Sequence, residues 1–168
     1  AVYINSALSP TAVNCKFVYP NAVVGVIDED YETGDFTNYA WVNDPLYPWV
    51  IDNVNIYEGV HSSKSGAGLP DGEVSHLNIN IDVTAPGDIS FFKFVSSEQD
   101  YDYLQFYIDG NKQGEWSGID NAWSFVSFPV TVGNHDLEWE YDKDGSSIGG
   151  QDCAWLDYIV FPPINLGS

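Results

Sequence analysis

Along Leu77 to Thr84, LNINIDVT, apolar and polar residues alternate without a break. Leu77, Ile79, Ile81 and Val83 fall on one side, and Asn78, Asn80 and Asp82 on the other. A period of two is the signature of a half-buried strand. HDLEWEYD, residues 135–142, repeats it with Leu137, Trp139 and Tyr141 inward and Asp136, Glu138 and Glu140 wet. YLQFYIDG puts Leu104, Phe106 and Ile108 on one face and ends in Asp109-Gly110, a strong hairpin-turn pair. Trp123 to Val130 is a further strand. ISFFKFVSS, which follows the Ala85-Pro86-Gly87-Asp88 turn, carries apolar residues on both sides. No segment shows helical periodicity. Short strands at regular intervals, with Gly, Pro and Asp turns between them, predict an all-β protein: a two-sheet antiparallel β-sandwich of jelly-roll type. Residues 1–25, with Pro10, Pro20 and two short β-rich patches, read as an N-terminal arm or the end of a preceding domain, and residues 26–168 as the module.

The run DCAWLDYIVFPP, Asp152 to Pro163, changes the picture from fold to chemistry. Alternation places Trp155, Asp157, Ile159 and Phe161 on one face and Ala154, Leu156, Tyr158 and Val160 on the other. Both faces read apolar, as in a central strand covered on both sides. Asp157 is therefore a carboxylate among apolar neighbours, and a buried charge needs a cation or several donors. Cationic partners are scarce: five lysines and no arginine against 25 acids, a net charge of −20. A bound ion would balance the charge, and an oxygen-rich setting favours calcium. The alternative is a ring of backbone N–H donors. DEDYETGD, residues 28–35, packs five acids into eight residues, as either a solvated turn or a source of oxygen ligands.

Charge also narrows the partners. A net charge of −20 argues against nucleic acid and against anionic membrane surfaces. No hydrophobic stretch reaches the length of a membrane span, so no membrane insertion is expected. The absence of methionine points to a processed or excised piece, and export has to be inferred rather than read from a leader. Cys15 and Cys153 match no zinc spacing; they either form one disulfide or remain two thiols.

Several motifs imitate chemistry without supporting it. GSSIG fits the nucleophile pattern at Ser147 but lies between two strands with no helix after it. Glu138, Glu140 and Asp142 alternate on one strand, where a wet sheet face accounts for them as well as an acid pair does. The DKDG stretch, Asp142 to Gly145, lacks the later ligands of a calcium loop, although Asp152 across the hairpin could make a second, weak ion site. His61, His76 and His135 share no metal spacing, and no catalytic system stands out. WVNDPLYPWVIDN is more open: Tyr47 and Trp49, with Tyr39 and Trp41 nearby, either offer flat faces for sugar stacking or cover the sandwich edge.

YETGDFTNYAW (31–41), PWVI with YEGVHSSKSGA (48–67), SFFKFVSSEQDYDYLQFYIDG (90–110), EWSG (115–118) and WEYDKDGSSIGGQDCAWLDYIVFPP (139–163) occur in this order. Together they resemble the bacterial extracellular jelly-roll modules of the cleaved-adhesin and MAM-like type, found in secreted or surface proteins of Bacteroidetes-like bacteria. Tyr31 stands where a phenylalanine is common in that family's FETGDF motif. The resemblance implies a structural calcium held by Glu32, Asp30 and Asp157, with Asp35 a further candidate and backbone carbonyls near Lys64 and Ser65 completing the shell. It implies a non-catalytic, extracellular adhesion or substrate-targeting module of a larger protein. The expected partners are a glycan, a host or cell-surface protein, and neighbouring domains of the same polypeptide. A carbohydrate-binding module serving an adjoining enzyme and a structural spacer are the competing expectations.

Overall fold

The two cleanest alternating segments pair with each other. Val74–Val83 and Gly133–Asp142 lie antiparallel in unbroken register, from Val74 opposite Asp142 to Val83 opposite Gly133. The computed structural model describes residues 28–66 and 68–165, so the N-terminal arm and Cys15 lie outside the described residues. Among them run eleven strands and no helix: β1 (Asp28–Glu29), β2 (Val42–Asn43), β3 (Val50–Asp52), β4 (Ser62–Lys64), β5 (Val74–Val83), β6 (Gly87–Ser96), β7 (Tyr103–Ile108), β8 (Asn111–Trp116), β9 (Ser124–Val130), β10 (Gly133–Asp142) and β11 (Cys153–Val160). One sheet has five strands in the order β2-β5-β10-β7-β8. The other has six, in the order β3-β4-β11-β6-β9 with β1 added against β11. The protein is the antiparallel β-sandwich that the alternation predicts.

Inward residues of both sheets make the core. Leu77, Ile79, Leu104, Phe106, Leu137 and Trp139 from the five-stranded sheet meet Ile89, Phe91, Val95, Ala154, Leu156 and Ile159 from the other. Phe106 lies 4.8 Å from Trp139 and 5.1 Å from Phe91, centroid to centroid. Each such side chain contributes roughly 1.5–3 kcal/mol by leaving water. β8 is the strand that the hydrophobic pattern does not announce. Its NKQGEW sequence is polar because it is an exposed edge, paired only with β7.

β11 is central, as expected, but its faces are not the alternating sets. Between Asp157 and Val160 the pairing with β6 shifts register, and Tyr158 adopts a left-handed φ of 48°. This bulge moves Ile159 and Phe161 into the core beside Ala154 and Leu156. Trp155 instead packs on Phe94 at 5.6 Å, on the outer side of the sheet. Asp157 is accordingly not in the sandwich interior; it lies under a loop that crosses the outer face.

Candidate functional site

The bulge falls in a gap along one edge of β11. β4 pairs with that edge at Trp155 and Leu156, and β1 pairs with it at Ile159 and Val160. Into the gap drops the loop 53–61. Asp157 is fully buried there, and its carboxylate accepts three backbone N–H groups: Tyr57 at 2.9 Å, Glu58 at 3.2 Å and Tyr158 at 2.7 Å. Burial pushes this carboxyl up to about 6, against the pull of those three amides. The ring of amide donors, one of the two solutions open to the sequence, is present.

Glu32 holds the other end of the same loop. Its Oε1 accepts from Val60 N at 2.7 Å and His61 N at 2.9 Å. Gly59 has a φ of 67°, and a Cβ there would stand 2.2 Å from Glu32 Oε1, so only glycine lets the carboxylate close in. Asp30 Oδ1 accepts Glu32 N at 3.1 Å. Glu29 is buried and accepts Tyr31 N and Trp41 Nε1, each at 2.9 Å. Tyr31, at φ 59°, and Tyr158 put two aromatic residues in the left-handed region on either side of this cluster, a placement that persists only where surroundings enforce it. Burial also raises the Glu58 carboxyl, and Asp30, Glu32 and Asp28 raise it further.

Asp28, Glu29, Asp30, Glu32, Glu58 and Asp157 thus share one neighbourhood, and no described lysine forms an ion pair with any of them. Lys93 pairs with Asp120, Lys112 with Glu115, Lys143 with Asp71 and Asp152, and Lys64 lies over the Trp155 ring. The donor set is oxygen-only and anionic, which suits a hard cation. Three of these carboxylates do not, however, bring their oxygens within 4.8 Å of one another. Main-chain carbonyls would have to complete any shell. Asp35 stands apart. It is exposed, and its Oδ1 accepts Thr37 N at 3.0 Å and Thr37 Oγ1 at 2.7 Å, bonds that hold its carboxyl below the usual range.

The loop carries Tyr57, whose ring stacks on Phe92 at 3.5 Å between centroids. Phe92 meets Phe125 at 5.4 Å, and Trp123 joins Tyr57 at 6.1 Å and Phe94 at 5.9 Å. These five rings form a platform on the outer face of the six-stranded sheet, with Phe125 57% and Tyr57 42% exposed. Beside Phe94 opens a hollow of about 380 Å³ edged by Asp52, Asn55, Lys64, Gln151 and Trp155. Asp52 fixes its wall, accepting Trp155 Nε1 at 2.7 Å and Asn55 N at 3.2 Å.

The pair Tyr47 and Trp49 does not offer such a face. Trp49 is 2% exposed, with its indole N–H directed at Ser75 O, and Tyr47 packs half-buried against the core. Both cover the sandwich edge, because Asn43 and Asp44 bond the intervening backbone and fold the segment inward. The platform was signalled instead by Phe92 and Phe94, which alternate with inward Phe91 and Val95. Lys93, also on the inward side, ion-pairs with Asp120 at 3.0 Å.

The remaining motifs resolve simply. Ser147 is exposed in a loop at φ 70°, with no helix after it. At the DKDG stretch, Lys143 Nζ itself bridges Asp71 and Asp152 and occupies the place of an ion there. Cys153 is buried, and burial pushes its thiol up to about 12.

The sequence matches no protein-family model and no curated protein. Solved structures match the fold. The K1 cleaved adhesin domain of Lys-gingipain from Porphyromonas gingivalis W83 superposes with a TM-score of 0.59 at 13% identity, over 85% of this chain and 99% of that domain. The CBM22-1 xylan-binding domain of Paenibacillus barcinonensis Xyn10C gives 0.56 at 13% identity, over 84% and 95%. TmCBM61, solved with β-1,4-galactotriose, gives 0.54 at 15% identity, over 79% and 94%. The fold is the jelly-roll sandwich of such binding modules. No helix among the described residues is long and apolar enough to cross a membrane.

Proposed function

We propose that this chain is a non-catalytic extracellular binding module that holds a glycan on the aromatic face of its six-stranded sheet. The observation that carries this reading is the platform of Tyr57, Phe92, Phe94, Trp123 and Phe125 beside a hollow with polar walls. Flat rings accept the apolar face of a sugar, and amide, carboxylate and ammonium groups at the rim bond its hydroxyls. Modules of the same fold that bind xylan or galactotriose support it at the level of fold. A calcium ion bound directly by no more than two of Asp30, Glu32 and Asp157, with main-chain carbonyls, would brace the loop carrying Tyr57. The oxygen-only donor set without a paired lysine supports that part; Asp35 is not a member. In this reading the module serves neighbouring domains of one larger secreted or surface protein.

Retention on insoluble xylan, galactan and other polysaccharides tests the proposal, with Tyr57→Ala and Phe125→Ala as the decisive variants. Removing a stacking ring should weaken retention at least about tenfold, with no release of reducing ends by any form of the protein. Retention that both variants leave unchanged would put the sugar elsewhere. Failure on every glycan, together with Tyr57-dependent capture of a cell-surface protein, would make the same face an adhesion surface.

A further inference from the structure

The outer face of the other sheet is polar, and its register sets groups from distant parts of the chain side by side. His76 on β5 stands opposite Glu140 on β10, and Glu140 opposite Gln105 on β7. In the adjoining row, Asn78 stands opposite Glu138, and Glu138 opposite Tyr107. Glu138 and Glu140, two residues apart, project to the same side. His76 Nδ1 reaches both, 2.9 Å from Glu138 Oε1 and 3.4 Å from Glu140 Oε1. The three ligand atoms lie within 4.8 Å of one another, the one such group among the described residues. All three residues are half-buried.

We propose that His76, Glu138 and Glu140 form a binding site for a divalent transition metal, zinc being the natural probe. Ligand atoms about 2.0–2.2 Å from a tetrahedral zinc stand about 3.3–3.6 Å from each other. The observed separations around His76 are close to that spacing before any adjustment. An imidazole nitrogen with two carboxylates favours zinc, copper or nickel over calcium. The scaffold is rigid, since β5 and β10 pair over ten residues each. The surroundings also favour a cation. Asp44 and Asp142 both feel His76 electrostatically, and burial followed by Glu138 raises the Glu140 carboxyl. Tyr107, close enough to Glu140 to influence its carboxyl, donates its hydroxyl hydrogen to Gln105 Oε1 at 2.6 Å. In the metal-free protein, the 2.9 Å approach of Nδ1 to an ionised Glu138 calls for the hydrogen on Nδ1. A metal takes the Nδ1 lone pair, so the ring hydrogen moves to Nε2 by exchange with solvent and a neutral imidazole gives up no net proton. The fourth position opens outward to water.

Calorimetric titration of chelator-stripped protein with zinc chloride tests the site, with millimolar calcium present to occupy any hard-cation site. One equivalent should bind, and His76→Ala and Glu140→Gln should each weaken binding at least about tenfold. Asp157→Asn should leave zinc binding intact, since its carboxylate lies on the opposite sheet. Circular dichroism confirms that each variant is folded. Absence of zinc binding, or binding that both His76→Ala and Glu140→Gln leave unchanged, would reduce His76 to a counter-charge for the two glutamates. Either result is independent of whether the aromatic face holds a glycan.

Discussion

Two clusters of acids in this molecule are balanced by different means. Around Asp152 a lysine does it: Lys143 Nζ, on a side chain 3% exposed, lies 2.5 Å from Asp152 Oδ2, 2.8 Å from Asp71 Oδ1 and 3.2 Å from Leu69 O. Around Asp157 no described lysine forms an ion pair, and backbone amides of Tyr57, Glu58 and Tyr158 take the carboxylate instead. The first arrangement supplies a full positive charge from within the chain. The second supplies only dipoles, and six acids remain close together. A chain with five lysines and 25 acids cannot answer every buried carboxylate with a cation of its own. Where it does not, an ion from solution is the remaining means, and that difference can be measured.

The largest effect should come from the lysine. Lys143→Met keeps most of the volume but leaves Asp152 partly buried without its charge partner. Breaking a fully buried pair from one side costs about 3–5 kcal/mol, and water reaching Asp152 and Asp71, 20% and 43% exposed, brings the loss below that; it is read as a shift in the urea midpoint that calcium does not restore. An unshifted midpoint would mean that solvent already compensates Asp152, and the contrast between the clusters would disappear. Asp157→Ala comes next. It strands three N–H groups, for a loss of about 2–4 kcal/mol after partial rehydration of the loop. Asp157→Asn keeps one acceptor oxygen and should cost less in chelator than in calcium. Equal costs in the two conditions would argue that no ion is bound there.

How much of this was legible in the sequence depends on what set each feature. Strands such as β5 and β10 were plain because one face is wet and the period of two is unbroken. Trp49 stays open between sugar stacking and edge cover in the sequence, because its Pro-rich segment is turned inward by Asn43 and Asp44 hydrogen bonds that no periodicity records. The faces of β11 were misassigned past Asp157 because one bulge inverts every later side chain. Asp157 itself was found from composition, as a charge in an apolar run. The meeting of His76 with Glu138 is hidden by a sequence separation of 62, and only the pairing of β5 with β10 reveals it.

Proton linkage gives a smaller effect but a change of sign. Asp157 has an ordinary value of 3.8 when unfolded and about 6 when folded, so the native state binds more protons between those values. Stability linked to this group is full below 3.8 and is lost as pH rises through about 6. In chelator, melting temperature should therefore rise as the solution is acidified from neutral toward pH about 5. Asp102, also pushed up to about 6 by burial and by Asp152, adds the same slope with or without calcium. A bound ion would favour the charged form of Asp157 and reverse its share. Calcium minus chelator thus isolates it: the calcium-induced rise in melting temperature should shrink as pH falls. A calcium increment that stays flat over this range would place any ion away from Asp157.

The smallest effect tests which acids belong to the cluster. Asp35 lies in the same acidic run as Asp30 and Glu32, yet its carboxylate caps its own turn through Thr37. Asp35→Asn preserves an acceptor oxygen in an exposed position, so the urea midpoint should barely move. The calcium-dependent rise in melting temperature should also be unchanged, whereas Glu32→Gln should diminish it. Glu32→Gln keeps an oxygen for the Val60 and His61 amides and removes the charge, so its loss of calcium response would not stem from an unpinned loop. If Asp35→Asn abolished the calcium response and Glu32→Gln did not, the ion would sit on the outer turn. The loop carrying Tyr57 would then be held by amide hydrogen bonds alone.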